Sequence, residues 1–315
     1  MTSRISRWLR FLLPGERARS RETALNREGD GRSAGTREAA FEPQAMTEVD
    51  VRPSHPVDVF EVGWRTDTGV VRDHNEDSVY VFTGQLDAKK SSSAFGLFMV
   101  ADGMGGHAAG EEASALALKT AAGQLICDVY VPLLSGAERG SEQPAMGDVV
   151  RQAAESANAA VARNLPGSGT TLTYGMVAGS RLFVGHVGDS RAYLLRGADA
   201  LRVLTQDHSL VRRLVEVGQL TEAEAAVHPQ RNVLYRALGQ PDTLDVDVTT
   251  LPLEPGDQLL LCSDGLWNMV GEAEIQSVVA SCGDAQTACE KLVEAANAAG
   301  GEDNITVVLA RMRFQ

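Results

Sequence analysis

The chain has 315 residues, of which 43% are hydrophobic and 23% charged, enough apolar content for a sizeable core and too much for wholesale disorder. Its 29 Lys and Arg against 42 Asp and Glu leave a net charge of −13, which argues against a chain built to coat nucleic acid. No apolar run approaches the roughly 20 residues of a membrane span, and Cys127, Cys262, Cys282 and Cys289 form no C-x-x-C pair. They read as reduced core thiols of a cytoplasmic protein rather than a disulfide framework or a zinc site.

Residues 1–54 carry ten Arg and eight acidic residues, a net charge of +2, so residues 55–315 carry −15. With little apolar periodicity after Leu25, residues 1–54 are expected to be a disordered tail before one folded domain at 55–315. Within the tail, Ile5, Trp8, Leu9 and Leu12 share a helical face beside arginines. Residues 4–13 therefore fit a basic helix lying on a membrane surface or a partner. A frayed tail, or a segment upstream of a start at Met46, accounts for the same residues. No A-x-A cleavage site follows the apolar patch.

Beyond the tail, Val79–Phe82 and Gly96–Ala101 read as strands. Gly110–Tyr130 and Asp148–Asn164 are Ala-rich with helical spacing. Thr170–Ala178, Arg181–Val187 and Ala192–Leu195 make a strand meander turning at Gly179-Ser180. Short helices follow at Ser209–Val217 and Thr221–Ala226, then strands at Val246–Leu251 and Gln258–Cys262. Helices at Glu272–Val279 and Ala285–Ala298 precede a last strand at Ile305–Met312. Grouped strands and paired helices, without strict alternation, predict an α+β sandwich.

Asp residues stand at the ends of these strands. Asp102 closes Leu97–Ala101, Asp264 closes Leu259–Ser263, Asp189 follows Phe183–Gly188, and Asp303 precedes Ile305–Ala310. Any one of them is explained by an Asp-Gly turn or a helix cap. Four at once, with Gly103, Gly188 and Gly265 beside them, suggest carboxylates converging at one end of a sandwich. Unpaired carboxylates crowded there repel and are costly to bury, and a hard divalent cation removes that cost.

The motifs in order resemble those of the metal-dependent protein phosphatases of type 2C. Arg72-Asp73-His74-Asn75-Glu76-Asp77 is similar to the family's R-x-x-x-E-D. Asp102-Gly103-Met104-Gly105-Gly106-His107 resembles D-G-M-G-G-H, and Gly167–Thr171 resembles the S-G-T-T segment. Gly188-Asp189-Ser190-Arg191, Thr205–Ser209, Ser263–Leu266 and Gly301–Thr306 complete the set. The resemblance covers about residues 60–313. It implies a four-layer αββα sandwich of two antiparallel sheets flanked by helices. It also implies two core Mn²⁺ or Mg²⁺ ions and a third ion.

By position, the resemblance implies that Asp102 bridges the two core ions and the Gly103 carbonyl binds one of them. Asp264 and Asp303 bind the other, and Asp189 joins Asp264 at the third. Glu76 and Asp77 act through water, Arg72 grips phosphate, and Asn304 orients Asp303. The activity implied is hydrolysis of phosphoserine and phosphothreonine in proteins by a metal-activated water, opposing a bacterial Ser/Thr kinase. The protein is expected to be a cytoplasmic monomer without nucleic-acid partners.

Many relatives carry a proton-donating His where this chain has Met104, so the general acid is open among His107, His208 and water. Residues 209–231 lie where relatives carry a variable flap, read either as a substrate selector or as a solvated face. A dead phosphoprotein-binding module would be expected to have lost an Asp of the set, and none is lost. A stress-response regulator of the same fold would be expected to carry a sensor domain, for which the tail is short.

Overall fold

In the computed structural model the described residues are 59–88, 91–105, 108–136, 144–197, 199–240 and 244–313. The tail segment at residues 4–13, Met46 and His107 lie outside them.

Two antiparallel sheets stack face to face. The first runs β1 (Phe60–Asp67), β11 (Ile305–Met312), β10 (Gln258–Cys262), β7 (Arg191–Leu195) and β8 (Arg202–Val203). The second runs β2 (Asp77–Ala88), β3 (Ser91–Met104), β5 (Leu172–Ala178), β6 (Arg181–Val187) and β9 (Asp247–Pro252), with β4 (Gly169–Thr170) paired to the end of β3.

The continuous apolar runs mark strands covered on both faces, and the two-residue period sorts their side chains. In β3, Phe98 and Val100 face the space between the sheets, while Phe95, Leu97, Met99 and Ala101 face helices. In β11, Val308, Ala310 and Met312 point between the sheets, and Ile305, Val307 and Leu309 point outward to helices.

The outer layers are α1 (Ala108–Leu125) and α3 (Met146–Asn164) on the second sheet, and α7 (Glu272–Ser281) and α8 (Ala285–Ala298) on the first. Buried Ala113, Ala117 and Ala121 on α1 and Ala153, Ala154 and Ala157 on α3 are small enough for the two helices to approach closely. The result is the expected α+β, four-layer αββα sandwich.

Three local expectations change. The helix expected over Gly110–Tyr130 is α1 followed by a wide π turn at Ile126–Tyr130 and then by α2 (Val131–Leu134). Pro132 offers no N–H and its ring crowds the carbonyl four residues back, and the wider turn carries the chain into it. Tyr130 there packs on Phe82 and Phe95, with ring centroids 4.9 and 5.0 Å away. β2 and β3 form a hairpin much longer than the expected strands. Strand β1 was not anticipated at all.

The flap consists of α4 (Leu210–Glu216) and α5 (Glu222–Ala226). Thr221 and Glu224 close a capping box at the start of α5, which satisfies backbone donors at its N-terminus.

Candidate metal centre

The site forms where the two sheets end side by side. Asp102 lies in β3 of the second sheet, Asp189 follows β6, Asp264 begins the single-turn helix α6 (Asp264–Trp267) after β10, and Asp303 precedes β11. All four line one cleft of about 450 Å³, together with Arg72, His74, Glu76 and Gly103.

Asp77 does not line the cleft. It sits directly opposite Asp102 in the β2–β3 register, a position where like charges destabilise a strand pair. One of its oxygens accepts from Ser263 Oγ at 2.7 Å, and the other is buried without a hydrogen-bond partner. Asp264 Oδ1 is likewise buried and unpartnered, and its Oδ2 accepts from Asn268 Nδ2 at 3.2 Å.

Burial and mutual repulsion act together on this group. Burial, then the charges of Asp77 and Asp264, push Asp102 well above the usual carboxylate range. Asp264 is raised in the same way by burial, Asp189 and Asp303. Asp77 is pushed up to about 6, chiefly by burial. Asp189 is pushed up to about 7 by burial and the neighbouring Asp207.

The backbone that carries these groups is tightly held. Thr171 Oγ1 accepts from Asp102 N at 2.9 Å, and Thr170 Oγ1 donates to Asp102 O at 2.8 Å. Thr171 also meets Ser190 Oγ at 2.8 Å, so the Gly167–Thr171 segment ties Asp102 to the loop of Asp189. Gly103 N donates to Glu76 O at 3.1 Å. A Cβ at Gly103 would fall 2.1 Å from the Gly110 carbonyl oxygen, so no other residue fits between Glu76 and the start of α1.

Asn304 contacts Asp303 through its backbone, and its side chain has a second task. Its side chain does not hold Asp303; the Asn304 N–H does, at 2.8 Å from Oδ1. The amide instead pins the loop before β2. Nδ2 donates to Thr68 O and His74 O at 2.9 and 2.8 Å, and Oδ1 accepts from Glu76 N at 2.8 Å. That loop presents Arg72, whose Nη2 donates to Asp303 Oδ2 at 2.6 Å while the side chain stays 51% exposed.

Met104 occupies the cleft wall and offers no proton. His208 is only 2% exposed and does not line the cleft. Its Nδ1 accepts from Gly188 N at 3.0 Å and its Nε2 lies 3.2 Å from Asp247 Oδ2, so it is no general acid here. Among the described residues, His74 is the histidine in the cleft wall. It stood in the first motif without an assigned role. Thr171 and Asn232, also in the wall, went unassigned too.

Among the described residues, no three His, Cys, Asp or Glu side chains form a ready-made ion cage. Hard cations that keep several water ligands need none. Orphaned buried oxygens, opposed carboxylates and an oxygen-rich wall without cysteine fit Mg²⁺ or Mn²⁺ better than zinc.

Comparison with known proteins supplies the family. The model of the protein phosphatase 2C family matches residues 69–305. The serine/threonine phosphatase stp of Listeria innocua is 39% identical over 250 residues, spanning 78% of this chain and 93% of that protein. The crystal structure of the Mycobacterium tuberculosis serine/threonine phosphatase PstP/Ppp superposes with a TM-score of 0.66 at 35% identity, covering 81% of this chain and all of that one. The catalytic domain of the phosphatase PstP in complex with 2 manganese ions superposes with a TM-score of 0.65 at 34% identity, over 81% of this chain and 99% of that one. A family model matching three quarters of the chain and a relative 39% identical over nearly its full length show that the chain belongs to the protein phosphatase 2C family.

Proposed function

We propose that the chain is a protein serine/threonine phosphatase that hydrolyses phosphoserine and phosphothreonine at a Mn²⁺ or Mg²⁺ centre in this cleft. The observation that carries the reading is the convergence of Asp102, Asp189, Asp264 and Asp303 beside Arg72 at the end of the sandwich. Asp102 and the Gly103 carbonyl, with Asp264 and Asp303, would hold two core ions. Asp189 with Asp264 would hold a third. When bound, such ions supply Lewis acidity, which lowers the pKa of water and offsets phosphoryl charge.

The protein supplies the rest. The planar fork of Arg72 suits a phosphate, and a phosphate in the cleft competes with Asp303 for it. Glu76 and Asp77 border the centre from the loop and the strand behind it, where they orient water. The Asn304 clamp keeps Arg72 and Glu76 in register with Asp303.

The natural opponent of such an enzyme is a Ser/Thr kinase and that kinase's targets. All four cysteines are free, three of them buried and Cys127 exposed rather than in the core as expected, since it lies in the π turn at the end of α1. Free thiols support a reducing, cytoplasmic setting, and we take the working form to be a monomer. Among the described residues no helix is long and apolar enough to cross a membrane.

Hydrolysis of a phosphothreonine peptide is expected to vanish in EDTA and return on adding Mn²⁺. Full activity after thorough chelation would overturn the reading. We also assign catalysis to residues 55–315. Deleting residues 1–54 is then expected to leave peptide turnover within about threefold, since terminal segments contribute little to a packed core. A collapse of kcat on truncation would place the tail in the catalytic unit. If residues 4–13 form a membrane-surface helix, the deletion lowers binding to anionic vesicles, and unchanged binding removes that role.

A further inference from the structure

His208 grips both peptide groups that flank Gly188. Its side-chain Nδ1 accepts from Gly188 N at 3.0 Å, and its backbone N–H donates to Gly188 O at 2.7 Å. Gly188 has φ +114, and a Cβ there would lie 2.6 Å from Thr171. A glycine in such a conformation has many alternatives when nothing holds it. The next residue is Asp189, whose carbonyl accepts from Trp267 Nε1 at 3.0 Å.

The His208 ring is itself fixed. Accepting at Nδ1 places its proton on Nε2, which faces Asp247 Oδ2 at 3.2 Å. Arg236 Nη1 donates to the other oxygen of Asp247 at 3.0 Å and also lies 2.9 Å from Nε2, so Nε2 is shared between the Asp247 carboxylate and the guanidinium. Burial, and then Arg236, lower the His208 pKa and favour the neutral ring that an acceptor requires. His208 also stands at the root of the flap. Its carbonyl accepts from Tyr235 N at 3.0 Å, and the next residue, Ser209, caps α4 and bridges to Leu234. Both ends of the flap therefore meet on the residue that holds the Asp189 turn.

We propose that His208 is a positioning residue: through the Nδ1 bond to Gly188 it fixes the turn that aims the Asp189 carboxylate into the cleft. The inference rests on the reading of Asp189 as a metal ligand. It explains why a histidine buried outside the cleft sits beside the site without touching it. Partners of this kind, one bond removed from a ligand, typically change metal affinity about 10- to 100-fold when lost.

The test is calorimetric titration of Mn²⁺ into the full chain, as wild type and as His208→Leu, His208→Gln, His208→Asn and Asp189→Ala, with folding checked by circular dichroism. Asp189→Ala is expected to lose the weaker phase of Mn²⁺ uptake and keep the tighter one. His208→Leu is expected to weaken that same phase about 10- to 100-fold. His208→Gln carries the same expectation should the leucine variant fail to fold, because its amide falls at the place of Nε2 and not Nδ1. His208→Asn puts a carbonyl oxygen near Nδ1 and is expected to recover the weaker phase to within about threefold.

A weaker phase of wild-type strength in the Leu and Gln variants, absent only in Asp189→Ala, overturns the role of His208. So does an Asn variant as weak as the Leu variant, which would make the effect one of packing rather than of the hydrogen bond. If Asp189→Ala titrates as wild type, it is Asp189 that was misassigned, and the inference falls with it.

Discussion

Asp264→Asn is expected to abolish turnover while making the metal-free protein more stable. In the proposed centre Asp264 serves both a core ion and the third. Lewis-acid assistance is worth several kcal/mol, and each ~1.4 kcal/mol is one decade in rate, so kcat should fall by about three orders of magnitude or more. The stability effect has the opposite sign. Asp264 is buried among Asp189, Asp303 and Asp77, with one oxygen unpartnered, and its pKa is raised. A carboxyl whose folded pKa is raised binds its proton more tightly when folded, so metal-free stability is lost as pH rises from the unfolded value of about 3.9. For Asp189, raised to about 7, that loss extends to neutral pH.

In EDTA the wild type should therefore melt at a lower temperature at pH 7.5 than Asp264→Asn does. The difference should shrink as pH approaches 4, where the folded carboxyl is protonated and the unfolded one is protonated in about half the molecules. A variant that is less stable in EDTA at every pH would mean that Asp264 is a structural partner rather than a charge awaiting a cation.

Arg72→Ala should act differently. Arg72 lies on the rim loop and contacts Asp303 from outside. Its removal takes away a phosphate contact and no carboxylate. Charge-assisted hydrogen bonds contribute about 1.5–3 kcal/mol, so kcat/KM on a phosphothreonine peptide should fall about ten- to 150-fold. Arg72→Lys should recover only part of this, because an ammonium cannot reproduce the two-pronged geometry. Unchanged kcat/KM in Arg72→Ala would remove Arg72 from phosphate binding.

Much of the site was readable because its parts are local. An Asp after a run of apolar residues, followed by Gly, can be seen in a dozen residues of sequence. The runs around Asp102, Asp264 and Asp303 proved to be strands covered on both faces, so their ends meet where the sheets meet. What escaped depends on partners distant in the chain. Asp77 opposes Asp102 only through the β2–β3 register. The Asn304 amide clamps a loop some 230 residues earlier.

β1 escaped for a related reason. Its alternation of Phe60, Val62 and Trp64 is interrupted by charged and small residues, and Gly63 is there because the backbone of Ala285 at the start of α8 occupies its Cβ position. His208 was legible as a motif residue, but its motif could not tell a proton donor from a hydrogen-bond clamp. Burial and the occupied ring nitrogens decide that.

The measurement that bears most directly on the metal centre is calorimetric titration of Mn²⁺ into chelator-treated wild type, Arg72→Ala and Asp264→Asn at one pH. Wild type and Arg72→Ala are predicted to take up tightly bound ions with the same stoichiometry, and Asp264→Asn to lose tight uptake. Saturable uptake in Asp264→Asn equal to that of wild type, or its loss in Arg72→Ala, would contradict a centre built on these carboxylates.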